Sequence, residues 1–144
     1  MRFRAAKSTA GRQNIVVIGR IDREIFRCIA EDIVTEEVVM TDNQLEHILQ
    51  RHPEVFPVVM DVVRDTLRDP DYIIEDKHPH TGLVVKRLET GSESLQVVLR
   101  ICTSEDQPGY KNSVISCWEI SERRLQNYLR NKKILYNRQV DKKE

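Results

Sequence analysis

The sequence predicts an α+β domain in which two helices precede a four-stranded antiparallel meander and a last helix. Apolar residues recur at helical spacing over residues 41–67, and the period changes to two over residues 71–120. Helices and strands thus occur in separate runs, which favours α+β over the alternating units of a parallel sheet. The 144 residues suit one domain. We place it at residues 14–138, between a polar, partly disordered arm (1–13) and a fraying tail (139–144).

Three short extended segments are predicted before the helices. "NIVVIGRI" (14–21) is β-branched and reads as a strand. "REIFRCI" (23–29) alternates Ile25, Arg27 and Ile29 against Phe26 and Cys28, which is weak support for a second strand. "TEEVVMT" (35–41) is the third extended segment.

Local signals mark the ends of both central helices. Thr41 and Gln44 in "TDNQ" have the spacing of a capping box, so the first helix begins after Thr41. Pro53 disfavours helical geometry at the preceding residue, so this helix ends near Arg51. Pro53 also suits the first turn of the next helix, and "RDPD" (68–71) ends that helix.

The second half of the chain carries the predicted meander. Its four strands cover 71–77, 82–89, 94–104 and 112–120. In the third strand one face is expected to lie in the core and the other to face solvent or a ligand. The core face carries Leu95, Val97, Leu99 and Ile101, and the other face carries Gln96, Arg100 and Ser104. A last helix over 121–133 has Ser121 as its N-cap and carries a net charge of +4.

Composition excludes several classes of protein. The 23 basic and 23 acidic residues give zero net charge, which argues against coating nucleic acid by bulk charge but not against a local basic groove. Apolar runs are too short to cross a bilayer and no secretory signal is present, so we expect a cytoplasmic protein without membrane contact. Three cysteines without a CxxC motif indicate neither a disulfide framework nor a zinc ribbon. Cys102 and Cys117 lie in strand-like runs, so we favour small residues in or near the sheet over a reactive thiol. No strand leads into a GxGxxG or Walker A loop.

Five separated blocks carry a family resemblance. They are "IGRIDREIFRCIAEDIVTEEVVMTDNQLEHILQRHPE", "PDYIIEDKHP", "LRICTS", "YKNSVISCWEI" and "YLRNKKILYNR". Over residues 15–138 the chain resembles the phage-associated barnase/EndoU/colicin/RelE-like nuclease domains. The resemblance implies a barnase/RelE-like fold with helices on one face of the sheet and RNA on the other. It also implies a ribonuclease that needs neither metal nor cofactor, in which the ribose 2′-OH attacks the adjacent phosphate.

Five residues are candidates for catalysis. His52, in "RHP", suits proton transfer, although a histidine at a helix end also commonly caps a carbonyl. Arg100 and Lys86 would stabilise phosphate charge, or else be surface cations paired with carboxylates. Thr103 and Ser104 would position the phosphate, although hydroxyls near a loop more often bond their own backbone.

Four further residues are candidates for substrate binding. Lys111, Asn112 and Ser113 flank the loop between the last two strands, where they would meet phosphate or ribose. Lys77 joins this set from the first hairpin. Trp118 would stack on a base only if exposed, and we favour a place in the core, on the face of Val114 and Ile120.

The remaining signals are weaker. Asp76, His78 and His80 have a spacing compatible with metal, but a hairpin tip is usually solvated and we expect no metal site. The basic last helix is either a solvated face or an RNA contact. The leading hypothesis is a ribonuclease, with RNA (tRNA among the candidates) as partner and an inhibitor or immunity protein as a further candidate. The alternatives are a non-catalytic RNA- or protein-binding module and a protein associated with phage particles.

Overall fold

The structure, a computed structural model, describes residues 14–51, 56–89 and 91–141. These residues form seven strands and five helices. The strands are β1 (Ile15–Arg20), β2 (Glu37–Thr41), β3 (Tyr72–Glu75), β4 (Thr81–Arg87), β5 (Glu93–Arg100), β6 (Asn112–Ser121) and β7 (Ile134–Asn137). The helices are α1 (Arg23–Phe26), α2 (Asp42–Arg51), α3 (Phe56–Arg68), α4 (Glu122–Asn131) and α5 (Arg138–Asp141). The predicted flexible arm and the last three residues of the chain lie outside the described residues.

All seven strands belong to one sheet, in the order β1-β2-β6-β5-β4-β3-β7. Strands β3 to β6 form the predicted antiparallel meander. The prediction of a four-stranded sheet was wrong in number and order, because β1, β2 and β7 extend it on both sides. Strand β2 pairs with β6 in parallel over only two residue pairs, so the sheet is mixed. The α+β class is confirmed.

Helix α1 replaces the first part of the strand predicted over residues 23–29. The Asp22 side chain caps it by accepting from the Glu24 N–H at 2.9 Å, and Ile25 and Phe26 are buried. The four-residue separation of Ile25 and Ile29 suits a helix as well as a strand, so the short alternation was ambiguous.

The C-terminal segment carries two elements up to Asp141, and the predicted start of the tail at residue 139 falls within α5. Strand β7 pairs with β3, placing Tyr136 beside Ile73, and α5 follows it. Tyr136 is buried in the hydrophobic cluster that lies under α1, α2 and α3. This tertiary contact, rather than local propensity, positions Ile134–Asn137.

The predicted helix boundaries are confirmed where the structure describes them. The Thr41 N–H donates to Gln44 Oε1 at 3.0 Å and the Gln44 N–H donates to Thr41 Oγ1 at 3.3 Å, so the capping box is formed. Helix α3 ends at Arg68, as expected, and α2 reaches Arg51, the last described residue before the gap at 52–55. Ser121 caps α4 by accepting from the Arg124 N–H at 3.1 Å.

Hydrophobic clusters cover both faces of the sheet. The larger cluster lies under α1, α2 and α3, and it contains the predicted core face of β5. The smaller cluster lies on the opposite face, where Leu125 of α4 packs with Leu83, Val85 and Ile120. The expectation that the second face of β5 is open was therefore wrong for Gln96, which is only 1% exposed.

A β-bulge at Ile115 changes which face the side chains of β6 occupy. Leu99 pairs with Val114 but Val98 pairs with Ser116, so Ile115 is an extra residue. Val114 therefore belongs to the larger cluster, whereas Trp118 packs against the smaller one. The expectation that Val114 and Trp118 share a face was wrong, because one inserted residue reverses the alternation.

We expect Gly82→Ala to destabilise the fold by about 1–3 kcal/mol, because the space beside Gly82 is already filled. A Cβ at Gly82 would lie 2.8 Å from Ile29 Cδ1 and 3.2 Å from Ile73 Cγ2. Chemical denaturation measures the effect. Gly19→Ala is the matched control, since its nearest side-chain atom would lie at an ordinary 3.6 Å. Combining Gly82→Ala with Ile29→Ala should cost less than the sum of the two single changes, and strict additivity would contradict the proposed clash.

Candidate functional site

Most of the predicted site residues gather at one end of the sheet, which we call the loop end. It is the end where β4 begins at Thr81, β5 finishes at Arg100 and β6 begins at Asn112. Thr81 pairs with Arg100 and Arg100 pairs with Ser113, so these three strand termini are immediate neighbours. The loop after β5 and the β3–β4 hairpin both project from this end.

Arg100 is held by a carboxylate within this end. Its Nη2 lies 3.0 Å from Asp106 Oδ1 and its Nη1 lies 3.2 Å from Asp106 Oδ2. The side chains are only 21% and 14% exposed. Burial works against ionisation of Asp106, but the hydrogen bonds from Arg100 and from the Thr103 N–H outweigh it and lower the pKa of this carboxyl. Arg100 is therefore a neutralised cation here, and binding phosphate would require exchange of its partner.

Thr103 and Ser104 are also engaged. Thr103 Oγ1 accepts from the Glu105 N–H at 3.3 Å, and the Thr103 N–H donates to Asp106 at 2.9 Å. Ser104 donates to Asp32 Oδ2 through both its hydroxyl and its N–H. The hydrogen bond from the Ser104 hydroxyl lowers the pKa of Asp32. Both residues thus shape the loop after β5, as turn hydroxyls commonly do.

The predicted binding residues at the start of β6 have mainly structural contacts. The Lys111 Nζ lies 2.7 Å from Glu37 Oε1. Asn112 is fully buried, and its side chain accepts from the Cys102 N–H and donates to the carbonyls of Thr35 and Glu37.

Ser113 and Lys77 contrast in exposure. Ser113 is 3% exposed and lies beside Arg100 in the sheet. Lys77 is exposed in the β3–β4 hairpin and has no ion-pair partner among the described residues. Of the predicted binding residues, Lys77 is therefore the one whose side chain is most open to a ligand.

One predicted catalytic residue, Lys86, does not join the loop end. Lys86 pairs with Leu95 and lies five positions along β4 from Thr81. Its side chain is on the face of the sheet that α1, α2 and α3 cover. Its Nζ donates to the Asp69 carbonyl at 2.8 Å, just after α3, and so stabilises the C-terminal end of that helix. His52 and Pro53 lie outside the described residues, so the direction of the His52 imidazole stays a prediction.

The β3–β4 hairpin carries a histidine–carboxylate pair that the sequence pattern indicated only as a weak metal signal. His78 Nδ1 lies 2.8 Å from Asp76 Oδ2. His80 has a positive φ of 57°, and its carbonyl accepts from the Ile101 N–H at 2.8 Å, which joins the hairpin to the loop after β5. In the described part of the chain no three His, Cys, Asp or Glu residues are grouped to hold a metal ion.

Cations without carboxylate partners lie along α4 and just after it. All are exposed and none forms an ion pair with another described residue. They are Arg123, Arg124, Arg130, Lys132 and Lys133. The Lys133 carbonyl accepts from the Glu75 N–H at 2.9 Å, so α4 ends beside the β3–β4 hairpin. This set, the α4 basic surface, therefore runs to the loop end.

A cavity of about 370 Å³ lies between α2 and β6. Its walls include Met40, Ile48 and Leu95, with exposed His47 at its rim. Beyond Ser113 the side of β6 turned away from β5 has no neighbouring strand among the described residues. No pattern in the sequence indicates this cavity, because it arises where β2 leaves the sheet.

The thiols are poor nucleophiles. Burial raises the pKa of Cys28 and Cys102 to about 11 and that of Cys117 to about 12. All three are free and remain protonated at neutral pH. Among the helices of the described residues, none has both the length and the apolar character needed to cross a bilayer.

Residues 17–137 match the protein family described as phage-Barnase-EndoU-ColicinE5/D-RelE like nuclease2. The chain belongs to this nuclease family. The family resemblance seen in the sequence is thus confirmed, and nuclease membership implies the barnase/RelE-like fold and nucleic-acid cleavage as the class of activity. No curated protein and no solved structure matches the chain.

The nuclease should lose a pH-dependent part of its stability on replacement of Asp106 by Asn. Because the folded-state pKa of Asp106 lies below the ordinary value of about 3.9, the Arg100–Asp106 contact stabilises the fold above about pH 4. This stabilisation disappears as pH falls through the lowered pKa. Denaturation at several pH values should show Asp106→Asn costing about 2 kcal/mol near neutrality and progressively less in acid. A cost that stays constant down to the lowest pH would contradict this account.

Proposed function

We propose that this nuclease is a metal-independent endoribonuclease that cleaves RNA at the loop end. The observation that supports it most directly is the α4 basic surface, which leads to the end of the sheet where the candidate site residues gather. Elsewhere in the described residues, most cations sit beside carboxylates. Within the described residues, the α4 basic surface thus carries uncompensated positive charge, although the net charge of the chain is zero.

The α4 basic surface has the composition of a nucleic-acid contact. Arg124 and Lys132 lie 5.9 Å and 5.5 Å from the centre of the Tyr128 ring. Cations interleaved with an aromatic ring suit a backbone of phosphates with unpaired bases nearby. The sole acid of the helix, Glu122, is already paired with Arg87. RNA would therefore meet no uncompensated carboxylate along this helix.

The proposed reaction requires few groups. A base removes the proton of the ribose 2′-OH, whose oxygen attacks the adjacent phosphorus. The bond from phosphorus to the 5′-oxygen breaks, and an acid returns a proton to that oxygen. His52 is a candidate for proton transfer. Arg100, Thr103 and Ser104 would stabilise and position the phosphate after Asp106 and Asp32 give way to it.

The second candidate function is a binding module without catalysis. The contacts of Arg100, Lys86 and Lys111 favour it, because these three predicted phosphate ligands already lie within 4 Å of protein carboxylates. Such a module would use the α4 basic surface to bind RNA and leave the strand intact.

We expect purified protein to cleave total RNA and tRNA in the presence of EDTA and to leave products with 2′,3′-cyclic phosphate ends. An oligonucleotide with 2′-deoxyribose at the cut position is the matched control, because it lacks the attacking hydroxyl. His52→Ala should abolish most cleavage if His52 transfers the proton. Saturable RNA binding without any products would establish the binding module instead.

Removing cations from the α4 basic surface should weaken RNA binding. The variant replaces Arg123, Arg130, Lys132 and Lys133 by Gln. For single-stranded RNA the slope of log affinity against log salt should become shallower by about 0.7 for each phosphate that the variant no longer neutralises. Fluorescence anisotropy at several salt concentrations measures both the affinity and the slope.

The control for that experiment replaces cations that already have partners. Arg27, directly after α1, pairs with Glu24, and Arg68 of α3 pairs with Asp65, both in the helical layer opposite α4. Replacing both by Gln should change RNA affinity less than twofold. An equal weakening of RNA binding per removed charge in the two variants would indicate a response to total charge and would contradict the proposed surface.

A further inference from the structure

The His78–Asp76 pair stands at the point where the α4 basic surface meets the loop end. Asp76 follows β3 directly, and the last residue of β3, Glu75, donates its N–H to the Lys133 carbonyl at 2.9 Å. On the other side of the hairpin, the His80 carbonyl accepts from the Ile101 N–H. The pair is thus tied to the end of the basic surface and to the loop that holds Arg100.

The two side chains have the arrangement of a proton-transfer dyad. A neutral imidazole that donates its Nδ1 hydrogen to Asp76 carries its lone pair on Nε2. Asp76 is the more enclosed partner, at 19% exposure, while the His78 side chain is 44% exposed. The carboxylate therefore fixes the ring and its tautomer. Nε2 has no hydrogen-bond partner among the described residues, so it is free to meet a substrate.

The geometry points to His78, oriented by Asp76, as a catalytic proton-transfer residue of the proposed ribonuclease, acting on the ribose 2′-OH or the leaving 5′-oxygen of single-stranded RNA. This inference rests on the proposed function and adds to His52 a second candidate for proton transfer, since the reaction needs both a base and an acid. As base, Nε2 takes the hydrogen of the 2′-OH while its oxygen bonds to phosphorus. The resulting imidazolium is stabilised by Asp76 until the proton passes to the leaving oxygen or to water.

A purely local role for this pair is the competing explanation. Asp76 Oδ2 also accepts from the His78 N–H at 2.9 Å, as in an Asx-turn. A turn of this kind needs the carboxylate oxygen but not the imidazole. Replacing His78 therefore separates the two roles, since the backbone hydrogen bond survives the substitution.

The decisive experiment compares His78→Ala with His47→Ala in the full chain. His47 is an exposed histidine at the rim of the α2–β6 cavity, and it has no part in the proposed site. We expect His78→Ala to lower the RNA cleavage rate at least about 100-fold while RNA affinity stays within twofold. His47→Ala should leave both unchanged. Free imidazole in the buffer should restore part of the activity of His78→Ala and have no effect on wild type.

A second variant tests the orienting role of Asp76. Asp76→Asn keeps an acceptor for the His78 N–H but removes the carboxylate that stabilises imidazolium. We expect it to lower the cleavage rate at least about tenfold without changing RNA affinity or the unfolding midpoint. Undiminished cleavage by Asp76→Asn would overturn that part of the inference.

The outcomes separate this inference from the function on which it rests. If wild type binds RNA but never cleaves it, the ribonuclease proposal itself fails. If wild type cleaves and His78→Ala cleaves equally well, the ribonuclease stands and the dyad is only a turn. Inactivity of His78→Ala without imidazole rescue, together with a lowered unfolding midpoint, would also assign His78 to the fold.

Discussion

The rest of the structure depends on the junction at which β2 joins β6. Only two residue pairs connect these strands, and the buried Asn112 amide supplements them. It bonds to the carbonyls of Thr35 and Glu37 on one side and to the Cys102 N–H on the other. A buried amide with all these partners stabilises a geometry that few alternatives would satisfy. One side chain therefore fixes the N-terminal hairpin, the meander and the loop after β5 relative to one another.

Local rules were sufficient for the elements whose signals are local. The capping box at Thr41, the N-cap at Ser121 and the period of two in the meander all correspond to formed structure. Strand β7 and the parallel β2–β6 contact depend on residues far apart in sequence, so no local sequence pattern predicts them. The bulge at Ile115 is a single residue that reverses side-chain alternation, and no residue type there marks it.

The candidate site was predictable in place but not in contacts. The strand order of the meander brings Arg100 and Ser113 together at the loop end. The β3–β4 hairpin must place its tip at the same end of the sheet. Asp106 binds the predicted cation Arg100, and Asp32 binds the predicted hydroxyl of Ser104. The sequence contains only one weak indication of these contacts, which is the three-residue spacing of Thr103 and Asp106. The position of Lys86 on the helix-covered face follows from its pairing with Leu95, which the sequence did not reveal.

Helix α4 is attached to the sheet at both of its ends. It begins where β6 stops, and the chain after it returns into the sheet as β7 beside β3. Ten helical residues span about 15 Å, close to the rise of about four nucleotides in a helical strand. Because neither end of the helix is free, the distance from its first cation to the hairpin is fixed. The number of nucleotides that an RNA strand places between that cation and the hairpin would therefore be set by the length of α4. The length of a bound fragment would then be a property of the fold.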